Sequence, residues 1–535
     1  MSKRRVVVTG LGAITPVGND VATTWQSLLE GHSGAGPITK FDPGPFAVKF
    51  ACEVKDFDAS AYMDRKEAKR ADLFTQYAVA TAVQAMRDAR LEGTSDFDPN
   101  RLGVIVGSGI GGLATMEQQH DTYRERGPSK ISPFFIPMFI SDIAAGIVSM
   151  RFNARGPNYA TVSACATSAH AIGDAYRAIQ YGDADLMLTG GTEAAVTPMS
   201  IGGFANMRAL SERNDEPLTA SRPFDATRDG FVMGEGSATI LLEELEHAKA
   251  RGATIYAEIV GYGATGDAYH LTSPAPNGEG AQRAMKRAME DAGLTPQTVQ
   301  YVNAHGTSTP ANDLNETKAI RAVFGDAADG LSVSSTKSGT GHMLGAAGAV
   351  EFLVSSLVVR EGIIPPTINY CTPDPECDLD YTPNTARRRE VTAALSNSFG
   401  SAATTSRSLS SATKAEMPVP AEVSFARLTD PALRAIGAKV AAGTRLTATD
   451  GLTLFETPDI LGLGHLANAA NEAKHGSIVY FAANQHINPT NVCILRKTCV
   501  FCSYARLPKE AGAYRYTMDQ VYAEAAANSY VREFH

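Results

Sequence analysis

The sequence predicts an α/β layered fold over its first 400 residues, and three observations carry the prediction. Short apolar runs recur, amphipathic stretches lie between them, and 48 Gly with 7% aromatic residues and a single Trp25 suit close backbone packing. The runs Val104-Ile105-Val106, Leu186-Met187-Leu188, Ala238 to Leu242 and Val299 to Val302 mostly lie close to Gly or other turn residues. Apolar runs of this length read as strands covered on both faces. Stretches such as Phe74 to Arg90 have helical spacing and supply the crossover layers.

Taken from the N-terminus, Lys3-Arg4-Arg5 followed by Val6-Val7-Val8 resembles a signal peptide only briefly. Gly10, Gly12, Pro16 and Gly18 break the run, so it reads as a first buried strand. No window reaches the ~18 to 20 apolar residues of a membrane span. The longest candidate, Ala346 to Val359, carries Glu351. A cytoplasmic location is expected. The 7 Cys are too few and of odd number for a disulfide framework, so they are expected to be reduced. The 535 residues carry a net charge of −9, which excludes a general nucleic-acid partner. Two Gly-rich pieces, GLGAITPVG and GSGIGG, invite a dinucleotide reading. Neither has G-x-G-x-x-G with an acidic residue ~20 positions on after a second strand, and a Rossmann site is rejected.

Two segments share a local design, an apolar strand running into a turn of small polar residues: Tyr159 to Ser168 and Val302 to Thr309. They suggest a duplicated core. In the first, NYATVSACATSAHAIGDAYRAIQYG, a helix is predicted from Ala169, Ile172, Ala175, Tyr176 and Ile179. Cys165 then lies at a helix start, where free N–H groups favour a thiolate and lower the pKa from ~8.5. Its neighbours Ala164, Ala166, Thr167 and Ser168 leave room for an acyl thioester; a buried cysteine acting as a small hydrophobe is the alternative. His305 in VNAHGTSTPAND and His342 in SSTKSGTGHMLGAAGAVE each follow an apolar strand, among Gly, Ser and Thr. A nucleophile with two such histidines is what acyl transfer with decarboxylation requires.

From MSKRRVVVTGLG through GSGIGGL, KISPFF, SACATS, SRPFDATRDGFVMGEG, DAYHLTSP, NAHGTSTP and KSGTGHMLGAAGAVE to NSFG, the chain resembles the β-ketoacyl-[acyl-carrier-protein] synthase II family. These are the elongating condensing enzymes of bacterial fatty-acid synthesis. The resemblance implies a thiolase-like fold of two similar α/β halves, 1–255 and 256–412, in a five-layered αβαβα core, usually as a homodimer. It implies that Cys165 takes the acyl chain, that His305 and His342 assist malonyl decarboxylation and stabilise the carbanion, and that Lys337, paired with Glu351, positions the site. No metal or organic cofactor is implied. The backbone N–H of Cys165 would supply half of an oxyanion hole. Thr272, Thr307 and Thr309 would bond the phosphopantetheine arm. Ile110 and Phe204 would line the acyl pocket, for which core packing is an equal reading, and Phe399 and Gly400 would border the substrate. The partner, acyl carrier protein, is acidic in this family and calls for a basic patch. Arg65, Lys66, Lys69 and Arg70 are candidates, with Lys130, Arg208 and Arg213; a solvated helix face explains the first cluster about as well. Arg387 to Arg389 read as a solvated charge run.

The likeness stops at Gly400, where the family continues Phe-Gly-Gly-Thr-Asn and a last apolar strand, and this chain reads SAATTSRSLSS. A shift of reading frame would produce such a change. The missing Phe gates the acyl pocket, and the missing N–H completes the oxyanion hole. A strand written Ser-Arg-Ser-Leu-Ser-Ser is expected to bury little and leave a sheet edge open. Hence a further reading, a catalytically impaired thiolase-fold partner subunit.

Residues 413–535 carry 12 Lys and Arg against 11 Asp and Glu, so the acidity, −10, belongs to residues 1–412. Residues 413–424, within a Ser/Thr/Ala/Pro stretch, read as a linker. The piece 425–535 is expected to hold helices at Pro431 to Ala442 and Asp459 to Lys474 and a strand at Ser477 to Ala483. Cys493, Cys499 and Cys502 then fit a [4Fe–4S] cluster, or zinc with His486 as fourth ligand. HINPTNVC, CVFCSYARLPKEAGAY and YVREFH resemble the start of radical S-adenosylmethionine enzymes of the futalosine route to menaquinone, aminofutalosine synthase in particular. The resemblance implies a cluster on the three cysteines that cleaves S-adenosylmethionine, with Tyr504 nearby. The spacing C-x5-C-x2-C departs from the usual C-x3-C-x2-C. The piece is also short of the ~200 residues an α/β barrel needs.

Overall fold

The computed structural model describes residues 3–270, 273–400, 403–410 (backbone), 431–441, 446–457 and 459, and the short strand pair 484–485 and 533–534. It divides into two compact units, Lys3–Glu416 and Met417–His535 with the first two residues.

The first unit is built on ten strands. In chain order they are β1 (Val6–Ile14), β2 (Leu102–Gly107), β3 (Asn158–Tyr159), β4 (Leu186–Glu193), β5 (Gly236–Glu244), β6 (Ala257–Thr265), β7 (Tyr301–Asn303), β8 (Ser332–Ser334), β9 (Ala393–Gly400) and β10 (Ala403–Ser410). Their order in the sheet is β8-β7-β9-β10-β6-β1-β5-β4-β2-β3. Each half therefore repeats one plan, with its strands ordered first, fifth, fourth, second, third. The directions repeat too. The first–fifth and fifth–fourth pairs are antiparallel, and the fourth–second and second–third pairs are parallel, in both halves. The halves join where Val6–Val8 pairs with Ala257–Ile259.

The duplication expected from the sequence is thus present, but the two segments that suggested it are not equivalents. Tyr159 to Ser168 follows a third strand, whereas Val302 to Thr309 follows a second strand. The true counterpart of the Cys165 turn is the turn at Leu344–Ala346, which follows β8.

Five layers result. On the outer face of the first half lies α1 (Leu73–Asp88) with helix Ile143–Phe152, packed on β1, β2, β4 and β5 through Phe74, Tyr77, Val83, Met86 and Val104. Asp72 caps α1, its side chain accepting from Phe74 N–H. The outer face of the second half carries α3 (Glu279–Ala292) and α4 (Pro310–Phe324). Between the two sets of strands lie α2 (Thr167–Tyr181) and α5 (Ala347–Glu361). Ala169, Ile172, Ala175, Tyr176 and Ile179, the residues that predicted α2, are all buried. In α5 every residue from Ala347 to Val359 is buried, as a helix covered all round requires. Among the described residues no helix is long and apolar enough to cross a membrane.

The sequence expectation of an open sheet edge after Gly400 is not met. The backbone of β10 pairs with β9 along its whole length and with β6 on its other side. Ladder hydrogen bonds join main-chain groups whatever the side chains are, so polar text can still complete a sheet. Arg387 to Arg389 are more than a solvated run. Arg387 and Arg388 pair with Ile363 and Ile364 as strands, Arg387 bonds Asp380, and Arg389 donates to Ser332 Oγ at 2.8 Å and the Gly330 carbonyl at 2.7 Å.

In the second unit, helix Pro431–Ala441 matches the expected helical segment and packs with helix Ala448–Glu456 through Leu433, Ile436, Leu446 and Leu454. Lys439 pairs with Asp450 at 2.7 Å. The expected elements at 459–474 and 477–483, and Cys493, Cys499, Cys502, His486 and Tyr504, lie outside the described residues.

Candidate active site

Cys165 is placed by a reversal of backbone hand. Ala164 adopts φ +49°, a left-handed conformation that costs a residue with a Cβ about 1–2 kcal/mol. This starts a tight turn, Ala164–Ala166, that leads into α2. Ser163 N–H donates to Thr167 Oγ1 at 2.8 Å, and Thr161 Oγ1 donates to the Thr167 carbonyl at 2.9 Å, fixing the turn. The thiol faces a cavity of about 530 Å³. The expected lowering of its pKa is overturned: apolar burial pushes the thiol up to about 12, outweighing the Lys337 charge and the N–H groups of the turn.

His305 follows β7. Its N–H and that of Gly306 donate to the two carboxylate oxygens of Glu316 on α4, at 2.9 and 2.8 Å. Thr307 N–H donates to Asp313 at 3.0 Å, so two acids of one helix hold the loop. Burial pushes the Glu316 carboxyl up to about 7 even against these donors. Behind the ring, Lys337 Nζ lies 3.3 Å from His305 Nδ1 and pairs with Glu351, both side chains being only 2% exposed. An ammonium can only donate, so Nδ1 accepts and the neutral ring carries its proton on Nε2. Lys337 therefore acts behind the cavity wall, and its charged partner explains how Glu351 is tolerated in a buried helix.

His342 lies across from His305, the ring centroids 5.4 Å apart and the planes nearly perpendicular. Its ring packs edge-on against Phe231 at 5.2 Å. Both ring nitrogens are buried and have no hydrogen-bond partner among the described residues, as expected of groups reserved for a ligand. Burial first, then the Lys337 charge, holds both histidines well below the ordinary imidazole range, so each is a neutral donor or acceptor. Phe399 lies 5.4 Å from His305 between ring centroids. Gly400 approaches the nucleophile so closely that a Cβ there would lie 2.8 Å from the Ser163 carbonyl oxygen and 3.4 Å from Cys165 N. That close approach is why the position is glycine.

A half-buried thiol, two neutral imidazoles and a backbone N–H around one cavity can exchange a thioester and stabilise an enolate oxygen. Residues 3–248 match the family model of the beta-ketoacyl synthase N-terminal domain, and residues 256–371 that of its C-terminal domain. The chain belongs to the beta-ketoacyl synthase family. It is 55% identical over 400 residues to the 3-oxoacyl-[acyl-carrier-protein] synthase 2 of Synechocystis sp., covering 75% of this chain and 96% of that protein. The Staphylococcus aureus protein of the same name is 56% identical over 397 residues, covering 74% of this chain and 95% of that one. A beta-ketoacyl synthase from Burkholderia phymatum superposes with a TM-score of 0.72 at 36% identity, covering 76% of this chain and 99% of its own. A type II polyketide ketosynthase, solved in complex with its acyl-carrier protein, gives 0.71 at 37%, covering 76% and 99%. These likenesses bear out the thiolase-like reading of the first piece.

The synthase gathers Cys165, Phe204, Arg208, His305, Thr307, Thr309, His342, Phe399 and Gly400 around the one cavity. The Thr307 and Thr309 hydroxyls lie 2.9 Å apart on its wall. Thr272 and Ser401 lie outside the described residues. Ile110 does not border the cavity; it packs with Cys165 and Phe204 on an apolar cluster that includes Phe231 and Leu344. Of the expected carrier-protein residues, Arg208 stands exposed at the cavity. Arg213 instead donates to the Thr227 carbonyl at 2.8 Å and pairs with Asp229. Lys66, Lys69 and Arg70 are exposed on and after the short helix Arg65–Ala68, and Lys130 is exposed in a turn. The Arg70 guanidinium stacks on Phe134, 4.5 Å from the ring centroid. Among the described residues no group of three His, Cys, Asp or Glu could hold a metal ion.

Sequence reasoning missed Phe231, Glu193 and Glu316. An acid eleven positions after His305, in the helix that follows the loop, was the available signal for Glu316.

Proposed function

We propose that this synthase is a condensing enzyme of fatty-acid elongation, a 3-oxoacyl-[acyl-carrier-protein] synthase that lengthens an acyl chain by two carbons. The reading is carried by one observation: a nucleophile at a turn facing two neutral, buried histidines across one cavity. Acyl carrier protein delivers a thioester. Cys165 sulfur attacks its carbonyl, the carrier's sulfur leaves, and the thiol proton passes to that departing sulfur. Because one thiol replaces another, a resting thiol with a raised pKa carries no net proton cost. His342, with two unpartnered nitrogens, is the group placed to relay the proton.

Malonyl-carrier protein then loses CO2. His305 Nε2–H, set by Lys337, and His342 would donate to the enolate oxygen that forms. The enolate carbon attacks the acyl-Cys165 carbonyl, whose oxyanion the Cys165 N–H would bond, a donor whose loss typically costs ~10² to 10³ in rate. The carbon–sulfur bond breaks, Cys165 leaves as thiolate and takes up one proton, and the product departs on the carrier. Thr307 and Thr309 would bond the pantetheine arm, and Arg208 would meet the acidic carrier at the cavity mouth. Arg65, Lys66, Lys69, Arg70 and Lys130 extend that patch.

The homodimer reading is supported by β3, a strand at the sheet edge, beside exposed apolar side chains: Val162, Ile136 and Met150 are 61%, 57% and 73% exposed. Val162→Lys is expected to convert a dimer to monomer in sedimentation equilibrium.

The activity is tested by intact-protein mass spectrometry after incubation with a long-chain acyl-carrier protein. One added acyl group, absent in Cys165→Ala, is expected; no uptake by the folded chain would end the reading and favour a non-catalytic partner subunit. For the tail, the radical-enzyme reading is tested by reconstituting the full chain anaerobically with iron and sulfide. Thiolate–iron absorption lost in Cys493→Ala supports it, and its absence removes it.

A further inference from the structure

Glu193 ends β4 inside the synthase, wholly buried and in no ion pair among the described residues. Its carboxylate is fully engaged by donors from both halves of the fold. Oε1 accepts from Ser108 Oγ at 2.9 Å and Ile110 N–H at 3.2 Å. Oε2 accepts from Gly109 N–H at 2.8 Å and Gly345 N–H at 3.0 Å. Ser108 Oγ in turn accepts from Gly111 N–H at 3.0 Å. One side chain thus fixes the whole loop after β2 and ties it to the turn that starts α5.

That loop carries Ile110. The cavity beside Cys165 is bordered by Thr307, Thr309 and Arg208 and also by Phe204 and Phe231, and these two rings belong to an apolar cluster with Ile110 and Leu344, which do not border it. A long acyl chain on the sulfur that runs past Phe204 and Phe231 would enter this packed cluster, where Ile110 and Leu344 would have to give. Leu344 is one residue from Gly345, which Glu193 also holds. Ile110, bonded to Glu193, and Leu344, next in sequence to a residue bonded to it, therefore both belong to the cluster the acyl chain would enter. A buried carboxylate met by four neutral donors is costly and is kept where it fixes geometry.

We propose that Glu193 is a positioning residue that sets acyl chain length, by holding the backbone of Ile110 and Gly345 so that only side chains can yield. This rests on the condensing-enzyme reading and its acyl-Cys165. With Glu193→Gln, one acceptor becomes an amide donor and meets N–H groups, so the Ile110 loop is released and the pocket deepens.

The experiment follows acylation of Cys165 in the full chain, by intact mass, with hexanoyl- and hexadecanoyl-carrier protein. Glu193→Gln is expected to raise the long-to-short ratio about tenfold, the scale on which an apolar wall discriminates a methylene. Ile110→Ala should raise it similarly, and the double variant no further, since both act through one wall. Equal loss for both chain lengths, or effects that multiply, overturns the proposal. If Glu193→Gln does not fold, Ser108→Ala, which removes one donor, is read by the same ratio and the same criterion. A wild-type chain that takes up no acyl group overturns the condensing-enzyme reading and this one with it. Acyl uptake with an unchanged ratio overturns this one alone.

Discussion

The two halves of the synthase share one strand order, yet they use the start of their central helix in opposite ways. In the first half Ala164, at φ +49°, opens a turn that carries Cys165 to a cavity. In the second, Leu344, at φ +45°, opens the matching turn, and the residue after it is Gly345. The two turns pack against each other. A Cβ at Gly345 would lie 2.4 Å from Gly109 N and 2.7 Å from Glu193 Oε2, so no side chain fits there. The same turn thus builds a nucleophile where it meets a void and a seam where it meets backbone. Reactivity belongs to the space around the turn more than to the turn itself.

The largest effect is expected from erasing that difference. Gly345→Ala drives a methyl into the backbone of Gly109 and the carboxylate of Glu193, which cannot withdraw as a flexible side chain would. Overpacking against backbone should cost about 3 kcal/mol. Urea melts should show that loss, and acyl uptake should vanish with it. Cys165→Gly, which copies the second half into the first, should abolish acyl uptake while leaving a folded protein. A Gly345→Ala protein as stable as the wild type would mean that the seam is looser than its distances state.

How much of this was legible in the sequence depends on how local the cause is. Cys165, His305, His342 and the Lys337–Glu351 pair stand in short segments of small residues, where a side chain can reach a ligand, and the structure assembles them around or behind one cavity. Glu193 was hidden because its work is to accept N–H groups from a loop 84 residues upstream and a turn 152 residues downstream. The thiol's pKa was misjudged for the same reason, since the helix start is local and burial is global. The duplication was legible as an alternation of strands and helices. The wrong segments were matched because a strand running into small polar residues occurs after both second and third strands.

The fifth strands sharpen the comparison. β5 reads GSATILLEE, with Gly236 to Glu243 all buried, whereas β10 reads ATTSRSLS with a single Leu409. Both are paired on two sides. If backbone pairing alone conferred stability, the two would be equally protected. Polar text adds little transfer free energy, so β10 amides should exchange with deuterium about 100-fold faster than those of β5, a difference of about 2.7 kcal/mol. Rewriting 404–409 with Val and Ile should slow that exchange. Equal protection in the unaltered protein would show that the ladder, not the side chains, holds the fifth strand.

A smaller and more discriminating contrast lies in the acids that hold each half's second-strand loop. Glu193 holds Gly109 and Ile110, and Glu316 holds His305 and Gly306. Burial raises both from the ordinary 4.5, Glu193 to about 6 and Glu316 to about 7. Between 4.5 and the raised value the folded protein keeps a proton that the unfolded chain releases. Stability therefore falls as pH rises through that window. Glu316→Gln should remove a slope that extends to about pH 7, and Glu193→Gln one that ends near pH 6. The depressed histidines work with the opposite sign. Below about 6.5 the unfolded chain binds protons that folded His305 and His342 refuse, so they lower stability as pH falls. They remain in both variants, so subtracting the wild-type curve isolates each acid. Urea-unfolding free energies from pH 4.5 to 8 should separate the two variants between pH 6 and 7. Superimposable difference curves would mean that the two loops are held by acids of equal burial cost, and the electrostatic asymmetry between the halves would be lost.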